Sequence, residues 1–148
     1  MSSVYHGQAD SVKRGVALLS DGEVLIQDQL KGVRPGSRVR WQMVTTGVAD
    51  DLGHNPLVLH QRNEKLTLTA VTPAKVDWVE LDTAKPRHKW DSPNPGTSMM
   101  AFETRAPESG ELIIAVVATP GSCKFPIAAK ANFEPLETWG DKPRTKGK

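Results

Sequence analysis

Apolar residues recur along this chain in short runs of alternating character, each ending at a cluster of Gly, Pro, Asn or Asp. A spacing of two residues is the signature of a strand with one face buried; helical spacing is nearly absent. Residues 38–46 (RVRWQMVTT) alternate most clearly. Val39, Trp41, Met43 and Thr45 share one face, predicted to enter a core. Arg38, Arg40 and Gln42 share the other, facing solvent or a neighbouring domain. In residues 65–71, Leu66, Leu68 and Ala70 point in while Lys65, Thr67 and Thr69 point out. Further strands are predicted at 14–19, 24–30, 57–61, 75–81, 99–105 and 127–133.

The punctuation supports the same reading. Asp21-Gly22 and Arg62-Asn63-Glu64 predict hairpins, the first because Gly accepts a positive φ. Residues 47–56 read as a loop, and 82–98, with three Pro, as a long exposed loop. Residues 112–118 (LIIAVVA) are apolar throughout and bounded by Gly110 and Pro120, too short for a helix. They predict a central strand buried on both faces. Leu136 to Trp139 should pack back onto the body. The sum is an all-β fold, an antiparallel two-sheet β-sandwich, forming a single domain over 1–140.

Charge changes the picture only at the end. The net charge is +2, but residues 141–148 carry Lys142, Arg144, Lys146 and Lys148 against Asp141. That tail, expected to be flexible, therefore holds +3, and the rest is about −1. Overall basicity is then no argument for nucleic acid, which asks for a basic stripe on the fold itself. No apolar run approaches a membrane span of about 20 residues. A single cysteine, Cys123, excludes an internal disulfide and a Cys-rich zinc site. No cofactor motif is found.

Candidate chemistry is sparse. Tyr5 is the only tyrosine, near the start, and reads as a packing or surface residue. Asp50, Asp51 and His54 share a loop but amount to half a metal site. Glu103, Glu108 and Glu111 read as solvated strand ends. The segment Lys85-Pro86-Arg87-His88-Lys89-Trp90 sets cations beside an aromatic ring on an exposed loop. Lys85, Arg87, His88 and Lys89 suit a carboxylate or sulfate, and Trp90 suits a sugar's C–H face. The plainer reading is a solvated loop. Arg38 and Arg40 have the same chemistry on their strand.

The order of these motifs resembles a known family. The opening VYHGQADSVKRGVALLSDGEVLIQDQL, then RWQMVTTG, LTLTAVTPAKVDW and the closing FEPLETWG are similar to the C-terminal β-sandwich region of heparinase II/III-like polysaccharide lyases. The resemblance spans roughly Val4 to Gly140. It implies a parent enzyme, periplasmic or secreted and bacterial, that cleaves uronic-acid glycans by β-elimination. The catalytic and metal-binding residues of such enzymes precede this region, so none is carried onto this chain. The implied role is a non-catalytic accessory domain that scaffolds or lines the substrate cleft, with the parent's N-terminal domains and an acidic polysaccharide as partners. The alternative is an independent carbohydrate-binding module for acidic glycans.

Overall fold

The computed structural model describes residues 5–19, 22–85, 89, 92–123 and 134–140. Nine strands follow in chain order: β1 (Ser11–Leu18), β2 (Val24–Lys31), β3 (Arg38–Thr45), β4 (Val48–Asp50), β5 (Leu57–Gln61), β6 (Glu64–Thr72), β7 (Val79–Asp82), β8 (Ser98–Arg105) and β9 (Leu112–Pro120). They form two antiparallel sheets, one ordered β1-β2-β9-β6-β5-β4 and the other β3-β8-β7. Among the described residues no helix is long and apolar enough to cross a membrane.

The alternation read from the sequence sets which face is which. Leu57, Leu59, Leu68, Ala70, Ile114 and Val116 from the wide sheet meet Trp41, Met100 and Phe102 from the narrow one. Val76 and Trp78, on the segment entering β7, complete the core. The strand at 112–118 is central, as expected, and buried on both faces over 114–117: Ile114 and Val116 face the narrow sheet, while Ala115 and Val117 pack with Leu25 on the other side; Ile113, at the start of the run, is exposed. The hairpins at Gly22 and Arg62 form, with positive φ at both residues.

Three expectations need correction. The predicted loop 47–56 contains the short strand β4, paired with β5. The strand predicted over 75–81 starts only at Val79; Val76 and Trp78 are buried without joining a ladder. Glu103 is not a strand end but sits inside β8, opposite Arg40 on β3. The predicted strand at 127–133 and the tail 141–148 lie outside the described residues.

Asn55 substitutes for a strand neighbour where the β6–β9 register shifts between Ala70 and Thr72. Its amide accepts from the Ala70 N–H (2.9 Å) and donates to the carbonyls of Ala70 (2.8 Å) and Ala74 (2.7 Å). Buried backbone groups left without partners are costly, so this one side chain ties the loop to the sheet.

The closing segment returns as expected. A 3-10 turn at Leu136–Thr138 lies against β1, with Lys13 paired to Glu137 at 2.6 Å and Gln27 donating to the Glu134 carbonyl at 2.9 Å. Gly15 makes this approach possible: a Cβ there would collide with Leu136 and stand 2.8 Å from the Trp139 ring. Gly15→Val is expected to lift the segment at a cost of about 1–3 kcal/mol. Chymotryptic cleavage after Trp139 should accelerate and the denaturation midpoint fall. An unchanged midpoint and cleavage rate would mean the contact is loose.

Candidate functional site

The two sheets are unequal in width, and that inequality makes the site. Among the described residues the narrow sheet ends at β3, which leaves β1 and part of β2 without a strand above them. A cleft of about 590 Å³ opens along this flank. Its walls are the core-facing side of β1 and β2, the free edge of β3, and the segment from Tyr5 to Ala9.

Each polar residue of the cleft has a local reason for its place. Arg34 opens the turn Arg34-Pro35-Gly36-Ser37, closed by Ser37 N–H donating to the Arg34 carbonyl at 3.1 Å. Pro at the second position and Gly36 with φ +73° at the third are what a type II turn asks for. Arg38 and Arg40 follow on β3, one repeat apart and on the same side. Tyr5 is held by its own carbonyl, which accepts from the N–H groups of Gln8 (2.8 Å) and Ala9 (3.1 Å).

Arg14 and Asp28 form part of the cleft wall. They are opposite each other in the β1–β2 ladder, so their side chains share the core-facing side. Arg14 grips the carboxylate with two hydrogen bonds, Nε to Oδ1 at 2.6 Å and Nη2 to Oδ2 at 2.7 Å. The Asp28 hydrogen bonds raise the Arg14 pKa, against the opposing cost of partial burial; the charges of Asp28 and of nearby Tyr5 add to the rise.

Arg40 crosses the outward face of the narrow sheet to Glu103, with Nη2 at 2.6 Å and Nε at 3.1 Å from Oε1. Arg38 stands 3.6 Å from the other oxygen. The Arg40 hydrogen bond, chiefly, holds the Glu103 carboxyl below the usual carboxylate range, and the charges of Arg38 and Arg105 help. In both Arg14 and Arg40 these pairings use Nε and Nη2. Nη1 of each has no protein partner among the described residues. A guanidinium carries five N–H donors, so each retains donors for an incoming anion.

Among the described residues four arginines, Arg14, Arg34, Arg38 and Arg40, contribute to the lining of this cleft, and Asp28 is the only acidic residue in it. Trp41 contributes too. It is 2% exposed, and its indole N–H has no hydrogen-bond partner.

The sequence-predicted residues divide. Arg38 and Arg40 border the cleft. Lys85 and Lys89 are exposed on the β7–β8 connection, and Arg87, His88 and Trp90 lie outside the described residues. That connection springs from Asp82 and Ser98, whereas Arg38 pairs with Arg105 at the far end of β8. The separation along the strand is roughly 23 Å at the usual rise per residue. The root of that connection is therefore not beside Arg38. Arg14, Arg34 and Tyr5 were not nominated as ligand-contacting residues by sequence reasoning; the RPGS turn at Arg34 was the one available signal.

The loop acids make no metal site. His54 pairs with Asp51 at 3.3 Å, but Asp50 turns to His60 across β4–β5 at 2.7 Å. Among the described residues no three His, Cys, Asp or Glu gather to hold a metal.

The fold and the cleft define a class: an all-β sandwich with a cationic cleft on its open flank. No protein-family model matches the sequence, and no curated protein matches it.

Proposed function

We propose that this domain is a non-catalytic module that holds an acidic glycan in the cleft between its unequal sheets, as the accessory C-terminal domain of a polysaccharide-degrading enzyme. The observation that carries the reading is the presence of Arg14, Arg34, Arg38 and Arg40 in the lining of one cleft. Guanidinium forks pair with carboxylate or sulfate through charge-assisted hydrogen bonds, and Tyr5 at the mouth offers a ring to a sugar's C–H face. The heparinase II/III-like character of the parent, its β-elimination chemistry and its periplasmic or secreted location rest on the resemblance of the sequence motifs alone.

An independent carbohydrate-binding module is the alternative, and one observation favours the accessory form. Val16 and Leu18 lie on the core-facing side of β1, yet are 63% and 76% exposed because no strand of the narrow sheet covers them. An apolar strip beside the cleft suits a surface covered by a neighbouring domain.

Calorimetric titration tests the binding reading. Oligouronate or heparin tetrasaccharides should bind saturably at physiological salt, with or without residues 141–148, and a neutral tetrasaccharide should not. Arg34→Ala, on an exposed turn, should weaken binding about tenfold or more, given about 1.5–3 kcal/mol for a hydrogen bond to a charged group. Equal affinity for the neutral sugar, or an Arg34→Ala variant that binds normally, rules the reading out.

A further inference from the structure

The cleft does not end at the edge of β3. Arg38 and Arg40 border it from one side and also line a shallow depression of about 520 Å³ on the outward face of the narrow sheet. Arg40 and Glu103 then line a third depression, of about 290 Å³, that reaches Lys75, Val79 and Leu81 beside β7. All three share Arg40. Among the described residues β3 is an edge strand, and no ladder partner stands between the cleft and the outward face. The Arg40–Glu103 bond fixes the guanidinium across the outward face, and Arg40 contributes to the lining of each depression.

Resting on the binding reading above, we infer that the ligand is an extended acidic glycan chain, several sugars long. It enters the cleft at Arg34, crosses the β3 edge over Arg38 and Arg40, and runs out over the narrow sheet to Lys75. The outward path crosses from β3 to β7, two strand spacings or roughly 10 Å, in addition to the cleft itself. A single sugar or a chain end would occupy the cleft and leave Lys75 idle. Val79, which is exposed, and Leu81 give the outer path apolar ground for sugar C–H faces.

The lining favours a glycan over a single-stranded nucleic acid. Asp28, Glu103 and Asp77 interrupt the cations along the track. Among the described residues Tyr5 is the only exposed aromatic side chain, too few for a base-stacking platform.

The test is chain length. Dissociation constants are measured for alginate-derived di-, tetra-, hexa- and octasaccharides at physiological salt, with the wild type, Arg34→Ala and Lys75→Ala. Affinity should rise at least about tenfold from disaccharide to octasaccharide as further charge-assisted contacts form. Lys75→Ala should weaken the octasaccharide about fivefold and leave the disaccharide unchanged, while Arg34→Ala weakens every length. Affinity independent of length, or an octasaccharide indifferent to Lys75→Ala, overturns the extended track but leaves the cleft reading standing. A single-stranded oligonucleotide of matched charge that binds as tightly as the octasaccharide overturns the choice of glycan. Failure of every length to bind takes down both readings together.

Discussion

Phe102→Ala is expected to remove about 3–5 kcal/mol of stability, the usual range for deleting a fully buried aromatic ring. Phe102 is wholly buried on β8, stacked on Trp41 with ring centres 5.7 Å apart and planes 11° from parallel. It meets Trp78 edge-on at 5.0 Å, and the two indoles meet edge-on at 5.7 Å. Each ring therefore has two aromatic neighbours in favourable geometry, worth about 0.5–1.5 kcal/mol per pair beyond the area buried. The triad joins β3, β8 and the approach to β7, so it holds the narrow sheet together from within and seats it on Ile114 and Val116 of the wide one. Urea denaturation followed by tryptophan emission measures the effect. The midpoint should fall without change in the slope, and Phe102→Leu should cost less than half as much. A loss below about 1 kcal/mol for Phe102→Ala would mean that the indoles close over the gap and the sheets are held elsewhere.

The same triad shows why the fold was legible and the site less so. Period two in RVRWQMVTT places Trp41 inward from sequence alone, and it does not matter which residues it meets there. Binary pattern also identified the central strand at 112–118, since a run without polar positions fits only a place covered on both faces. Strand order is a different matter. Nothing in the sequence pairs β9 between β2 and β6, and nothing says that the second sheet stops after three strands. The cleft is a consequence of that stop. Arg14 opens the strand predicted at 14–19, and nothing in that run marks it out. Only the register that sets it against Asp28, with β1 left uncovered, makes it part of a wall. Arg38 and Arg40 were legible as outward residues. That their strand is an edge, so that they border both the cleft and the outer face, is tertiary information. Glu103 was misread because its neighbours in sequence, Thr104 and Arg105, are polar. Its partners are across the sheet rather than along the chain.

The Arg14–Asp28 pair is where stability and binding are expected to part. Arg14→Met should cost about 2–4 kcal/mol, because it strands a carboxylate whose side chain is only 8% exposed. The cost falls short of that for a wholly buried pair, since Arg14 is itself 40% exposed and water can enter the vacated space. Asp28→Asn keeps an acceptor for the guanidinium and should cost about 1–2 kcal/mol. The double variant Arg14→Met/Asp28→Leu should recover much of the loss, since no charge is left behind. With the single Asp28→Leu variant to close it, the double-mutant cycle should give a coupling of about 1.5–3 kcal/mol. Binding should order the variants differently. Arg14→Met removes a cation from the cleft and should weaken an oligouronate, whereas Asp28→Asn removes the one carboxylate in the lining and should strengthen it severalfold, despite the lower stability. Thermal melts and titrations on the same samples separate the two effects. If affinity simply follows stability, with Asp28→Asn binding worse than wild type, then the pair serves the fold alone and the cleft does not read charge.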